Sequence, residues 1–552
     1  MAAPGSPGPE PDIVDAGHRR RAEVSAVSPR TNVSGPDRSV TGNLSTNRKC
    51  NRPATVNFDA SILGNEDCLF LNIFAPANAK KLPVLFAIHG GGYGAGSAAS
   101  ADFSFMDQTV NNSFVSVVIQ YRLGAFGFLS SAEVARHGTA NAGLFDMRFA
   151  LEWVQKYIER FGGDPNQVTI VGESAGGGSV MLMAMANAGR DGTSLFRRGI
   201  ASSPYFPTQP NYDDALPTDY YLQFARRAGC LDEGKADPED GSVFKCLQNA
   251  GTLALQNASA YTSYAALYGQ WAFIPVTDGS LIRSQPNRQL LRREVNGERI
   301  LTGNNANEGT YFVPQNITTE AHFTAFVQRI YPALSPDAIA SVLDLYAVPA
   351  NITTSIPKYD SDGLHPPYAT IMSGYAFGWQ QAANNLYAET TFVCPAYWLA
   401  DAYTSPAGSR VSRKAWRYQF SVPSAFHGSD MAPLLDNPAA AGSGSAVVMD
   451  SSFRKGFQAI WGRFVVGGDP TISASTAGGG DGEEGAITAA VGGGAWRPWG
   501  EAVAAGGVRN DLLNVNVTDA QPRRADWAVA DALAWEGGRG ARCALWAEIG
   551  VK

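Results

Sequence analysis

The stretch Val168–Gly177, reading VTIVGESAGG, constrains the fold of this chain more than any other. Its β-branched run reads as a short buried strand, and Gly172-Glu173-Ser174-Ala175-Gly176 follows with no gap. Ser179–Ala186 then supplies good helix-forming residues. Strand, sharp turn and helix in that order form a nucleophile elbow, which holds a serine in a strained conformation at the top of a sheet. Gly172 and Gly176 keep the adjoining strand and helix from clashing there. A lone Gly-x-Ser-x-Gly also reads as an ordinary glycine-rich turn, but the flanking strand and helix favour the elbow. An elbow serine requires a base, an acid and donors for an oxyanion from the rest of the chain.

Strands and helices alternate around the elbow. Leu69–Phe74 alternates like a strand, while Val84–Ile88 and Ser116–Ile119 are continuous buried ones. Between Asn141 and Phe161, Leu144, Met147, Leu151, Val154 and Ile158 keep helical spacing, and Gly162-Gly163 stops the helix. This order predicts an α/β fold, a mostly parallel central sheet with helices on both faces. Beyond the elbow the pattern loosens, as helical insertions around a pocket would make it. Arg299–Gly303 and Trp416–Phe420 read as later strands and Trp527–Ile549 as a closing helical region. Gly467–Gly494 is glycine- and alanine-rich, which predicts a flexible surface loop.

With 552 residues, 45% of them hydrophobic, the chain can bury a large core as one catalytic domain spanning residues 51–552. A formal net charge of -7 without a dense basic face argues against nucleic acid as a partner. No apolar run reaches membrane-spanning length, so no integral membrane segment is expected. The six cysteines form no Cys-x-x-Cys pair, which argues against zinc or thioredoxin-like chemistry. Asn-x-Ser/Thr sequons begin at Asn32, Asn43, Asn111, Asn257, Asn316, Asn351 and Asn516. Together with an even cysteine count they predict a secreted, glycosylated protein. Residues 1–50 conflict with this: they are Pro/Gly/Ser-rich, read as a disordered tail and show no apolar signal core. A missing or misassigned start to the sequence reconciles the two expectations.

A serine hydroxyl needs an adjacent base, and in an elbow fold the chain order is serine, then acid, then histidine. Beyond the elbow stand only His322, His365 and His427. His322 falls in an amphipathic helix, Glu320–Ile330, where a partly buried structural histidine is expected, and His365 precedes two prolines in a rigid loop. His427 follows a strand and precedes a glycine, which suits an imidazole at the rim of the sheet; it is the base on this reading. Glu308, just past the strand ending at Gly303-Asn304, is the candidate acid, although a solvent-facing glutamate in an Asn-rich turn would read the same way. Glu173 is excluded, because a residue adjacent to the nucleophile is expected to point away from it. The glycines of His89-Gly90-Gly91-Gly92 let backbone N–H groups approach a substrate oxygen and, with the N–H of Ala175, form an oxyanion hole. A phosphate loop does not fit, since no Gly-Lys-Ser/Thr or GxGxxG register is present.

These strings, with Glu66-Asp67-Cys68-Leu69-Phe70-Leu71-Asn72, Asn307-Glu308-Gly309 and His427-Gly428, resemble the type-B carboxylesterase/lipase family, which includes cholinesterases and large fungal lipases. The resemblance runs from about Asn51 to the C-terminus. It implies an α/β-hydrolase fold, a triad of Ser174, Glu308 and His427, and oxyanion donors at Gly91, Gly92 and Ala175. It also implies an ion pair of Arg122 with Asp146, and disulfides Cys50–Cys68, Cys230–Cys246 and Cys394–Cys543. The antiparallel strands that open the family, and the Arg that pairs with the equivalent of Glu66, have no counterpart here, so Glu66 is expected to lack that partner.

The expected activity is hydrolysis of small-molecule carboxylic esters through an acyl-enzyme, with no metal or organic cofactor; the sequence leaves the oligomeric state open. Two other readings are a catalytically silent cholinesterase-like binding module and a lipase acting on aggregated lipid. Tyr93, Trp271, Phe273, Phe392 and Phe426 suggest an aromatic pocket, with core packing as the alternative. Residues 51–67, between the first two cysteines, are too few and too polar to act as an oil-seeking lid. Soluble esters with no rate jump at the solubility limit are therefore expected.

Overall fold

The computed structural model of the chain describes residues 23–30, 64–98, 102–349, 368–405, 412–435, 449, 451–471, 496–502, 508–518 and 525–550. Its strands are β1 (Glu23–Arg30), β2 (Phe70–Pro76), β3 (Leu82–Ile88), β4 (Val115–Ile119), β5 (Gly163–Glu173) and β6 (Arg198–Ser202). They continue with β7 (Arg299–Asn305), β8 (Lys414–Phe420), β9 (Glu501–Ala502), β10 (Val508–Arg509), β11 (Asp511–Val517) and β12 (Ala525–Asp531). Ten of them form one sheet in the order β1-β2-β4-β3-β5-β6-β7-β8-β11-β12, and β9 pairs with β10 alone. Every neighbouring pair from β4 across to β11 is parallel, while β2–β4 and β11–β12 are antiparallel.

The central strands are continuous apolar runs because both faces of the sheet are covered. Val84, Phe86 and Ile88 of β3 point into one hydrophobic layer, and Leu85 and Ala87 into the other. The first layer packs under the helices Ala142–Tyr157 and Ala175–Met185. The second packs under Ser451–Gly467, whose Phe457, Trp461 and Phe464 meet Trp416, Tyr418 and Phe420 of β8. Alternation along each strand thus feeds two cores at once. Strand β5 lies near the middle of this stack, so the elbow at its end is anchored on both sides.

Several expectations change. Strand β1 lies within residues 1–50, where overall composition predicts a tail; its backbone pairs in parallel with β2. Composition over fifty residues averages away a glycine-free octet with valines at 24 and 27. Trp527 does not begin a helix: it sits in β12, paired with Val515, and the closing helix is Trp535–Ile549. The disulfides Cys230–Cys246 and Cys394–Cys543 are formed, and Cys68 is also disulfide-bonded. Cys50, residues 51–63 of the span expected to be too short for an oil-seeking lid, and most of the 467–494 loop lie outside the described residues. Arg122 and Asp146 pair at 2.7 Å, and Glu66 accepts a hydrogen bond from Thr252 Oγ1 at 2.5 Å. No helix among the described residues is long and apolar enough to cross a membrane.

Candidate active site

Strand β5 ends at Glu173 and a helix begins at Ala175, so Ser174 alone makes the turn, at φ 59° and ψ -125°. Only small neighbours permit this. A Cβ on Gly172 would strike the backbone of Gly176, and one on Gly176 would strike the carbonyl of Ile88. The turn is held from outside as well: Ser174 N–H donates to Ser202 O at 3.1 Å, and Tyr205 N–H donates to Ser174 O at 2.9 Å.

The loop after β8 carries His427 to this serine. His427 Nε2 lies 2.7 Å from Ser174 Oγ, and Nδ1 lies 2.5 Å from Glu308 Oε2. The loops bearing acid and imidazole are tied together, since Asn307 N–H donates to Ala425 O and Asn307 Nδ2 to Ser424 O. Glu308 is completely buried, not solvent-facing. Its Oε1 accepts from Asn305 N–H at 2.5 Å and from Ser203 Oγ at 2.6 Å. Beyond it Asp430, also buried, accepts from Ser202 Oγ, Tyr418 OH and Asn305 Nδ2. Of the other two histidines, His322 is exposed at the start of its helix beside Thr318, not partly buried, and His365 lies outside the described residues.

Glu173 corrects the sequence reading. Its Oε1 comes within 3.4 Å of His427 Nε2, the same nitrogen that faces the serine. Strand alternation predicts opposite directions for residues 173 and 174, but it fails when Ser174 leaves the strand conformation at positive φ. Glycines accommodate the carboxylate: a Cβ on Gly90 would lie 3.0 Å from Glu173 Oε2. Burial pushes Glu173 up to about 7, with Asp430 and Glu308 adding to the shift against the opposing pull of His427. For His427 burial favours the neutral ring, but Glu308 and then Glu173 outweigh it and raise the imidazole to about 9. In this ring of carboxylates the imidazole stands well above its ordinary value near 6.5.

The glycine loop follows β3. Gly90 runs beside the serine, where an added Cβ would stand 3.1 Å from Ser174 Cβ. Gly91 and Gly92 adopt φ 110° and 63°, and Ala95 N–H closes the turn on Gly91 O at 2.8 Å. The Trp271 indole lies against Gly92 and Gly94 and leaves no space for a side chain at either. His89 is buried and stacked on Tyr121 at 4.4 Å, and burial pushes it down to about 4, so it is an uncharged spacer at neutral pH. Ala175 opens the elbow helix, so its N–H has no partner within that helix and points to the serine end.

Two rings enclose the imidazole: Phe392 at 4.4 Å and Phe312 edge-on at 5.2 Å. Of the aromatics singled out from sequence, Phe392 lies at the site and Trp271 on the glycine loop. Phe426 packs with Tyr311 and Tyr375 beside His427, whereas Tyr93 and Phe273 are core residues. Ser203, Asn305, Phe312 and Asp430 were not singled out. A signal existed for two of them, because Ser203 follows β6 and Asn305 ends β7, and the ends of parallel strands share one rim.

A mostly parallel sheet with a strand–serine–helix elbow at its rim defines the class: the chain is an α/β hydrolase. Residues 34–483 match the carboxylesterase family, and the chain belongs to it as a carboxylic ester hydrolase. It is 31% identical over 446 residues to carboxylesterase patB of Penicillium expansum, covering 77% of this chain and 71% of that one. It is 33% identical over 317 residues to a secreted triacylglycerol lipase of Gibberella zeae, covering 55% of this chain and about half, 52%, of the lipase. The crystal structure of Aspergillus niger EstA shares the fold at a TM-score of 0.69 and 23% identity, covering 91% of this chain and 87% of that one.

Proposed function

We propose that the chain hydrolyses carboxylic esters through a covalent acyl-enzyme on Ser174. The observation that carries this reading is the continuous line Ser174 Oγ–His427 Nε2 and His427 Nδ1–Glu308 Oε2. His427 takes the hydroxyl proton as Ser174 Oγ attacks the ester carbonyl. Glu308, fixed by Ser203 and Asn305, orients the ring and stabilises the imidazolium. The oxyanion is received by the N–H groups of Gly91, Gly92 and Ala175. As the tetrahedral intermediate collapses, His427 gives its proton to the leaving alcohol. Water, activated in turn by His427, then attacks the acyl-serine and releases the acid, restoring the free hydroxyl. The substrate class is a small-molecule ester, and the proposed setting is extracellular, supported by the disulfides and by the relative named as secreted.

A fluorophosphonate probe tests the reading directly. Ser174 is expected to be the sole labelled residue, and labelling that survives Ser174→Ala refutes it. Folded wild-type protein that takes no label would instead favour a silent binding module. The relative named as a triacylglycerol lipase supports a second reading, action on aggregated lipid. Tributyrin kinetics across the solubility limit separate the two: a soluble-ester hydrolase gives no jump, and a lipase gives a sharp one.

A further inference from the structure

Phe392 does not reach His427 from an ordinary helix. Gly378–Ala388 and Cys394–Ala402 are α-helical, and Glu389–Val393 between them is a π-helical turn. Such a turn holds one residue too many for the α-helical hydrogen-bond ladder, and so needs compensation. Part of it is local, because Thr390 Oγ1 donates to Leu386 O at 2.9 Å. The rest comes from far along the chain. Glu389, fully buried, accepts from Arg539 Nε at 3.0 Å, from Arg542 Nε and Nη2 at 2.8 Å each, and from Tyr346 OH at 2.6 Å.

Burial alone would push this carboxyl up, but Arg542 and Arg539 hold it down at about 2, so it stays charged. Both arginines stand on Trp535–Ile549, the helix that the Cys394–Cys543 bridge fastens beside the same turn. The same turn also faces the site. Phe392 sits 4.4 Å from the His427 ring and 5.6 Å from Tyr205, and Thr391 O accepts from Phe206 N–H at 2.8 Å. Tyr205 N–H in turn holds Ser174 O. One turn of helix therefore carries both a double ion pair and the packing surface of the imidazole.

We propose that Glu389 is a positioning residue for ester hydrolysis: clamped by Arg539 and Arg542, it fixes the π turn that seats Phe392 against His427. This rests on the reading of His427 as the base. A buried carboxylate held by two arginines has essentially one geometry, whereas an uncharged group there leaves both cations short of a partner and the turn free to relax. Phe392 would then withdraw from the ring, and the imidazole would sample orientations that do not face Ser174 Oγ. The consequence falls on the chemical step, with substrate binding little changed.

The test is a double-mutant cycle read by the rate of fluorophosphonate labelling and by kcat and KM for p-nitrophenyl butyrate, on samples matched for folded protein. Glu389→Gln is expected to slow labelling and kcat about tenfold with KM nearly constant, and to add less than about twofold in a Phe392→Leu background. Equal penalties in both backgrounds, or a Glu389→Gln protein that labels at the wild-type rate, overturn the proposal. If Glu389→Gln does not fold, Arg542→Lys and Tyr346→Phe enter the same cycle with the same criteria. Wild-type protein that takes no label would refute the esterase reading itself, a failure distinct from equal rates in wild type and variant.

Discussion

The two walls of the active site are built by opposite means. The serine wall is backbone: glycines at 90, 91, 92, 172 and 176 let the elbow and the glycine loop pack where an added Cβ would strike a neighbour, Gly90 directly beside Ser174. The histidine wall is side chain: Ser203, Asn305, Glu308, Phe312, Phe392 and Asp430, gathered from distant segments, close around one imidazole. One wall is defined by absent atoms, the other by charges and rings. The first should fail when any atom is added, and the second should answer to pH and to size-matched replacement.

The largest break removes the proposed base. His427→Ala should lower kcat on the order of 10⁴-fold or more, as loss of a triad member does. His322→Ala should leave turnover unchanged, since that ring is exposed at the start of its own helix beside Thr318. Comparable losses in both variants would dissolve the contrast between a working and a structural histidine.

Next comes one added carbon on the serine wall. In Gly92→Ala the new methyl meets the Trp271 indole, and φ 63° disfavours any side chain. Displacing one oxyanion donor should cost about 10²–10³ in kcat. Steady-state kinetics check this, and an alanine variant with wild-type kcat would remove Gly92 from the hole.

The smallest effect sharpens the histidine wall. A base works only when deprotonated, so kcat/KM should rise as pH climbs through the raised value of His427, near 9, instead of near 6.5. Glu173 is one of the carboxylates holding that proton on, so Glu173→Gln should move the acid limb toward lower pH by about one pH unit. Profiles from pH 5 to 10 decide it. A limb that stays put would mean that the carboxylate 3.4 Å from Nε2 does not act on the ring.

The same contrast explains what could be read from the chain beforehand. The serine wall lies in two short stretches whose glycines stand in sequence, so the elbow and the glycine loop are visible as strings. Glu308 and His427 stand out because the order serine, acid, histidine is fixed along such chains and histidines are few. Glu173 escapes a reading by strand alternation because the next residue stands at positive φ. Strand β11 is hidden in the sequence because Asp511, Asn514 and Asn516 interrupt its apolar run. Nothing local announces the seat of Phe392, since its supports stand near residues 539 and 542.

The conformation of Ser174 carries a final consequence, for endurance under heat. At φ 59° and ψ -125° any residue with a Cβ is held where an unconstrained chain would not place it, at a cost of about 1–3 kcal/mol. Alanine at this position inherits the burden, whereas glycine sheds most of it. Both variants should be dead as enzymes, yet Ser174→Gly should melt above Ser174→Ala in calorimetry, less a few tenths of a kcal/mol for the freer unfolded chain. A lineage released from the need to cleave esters would gain toughness by giving up its nucleophile.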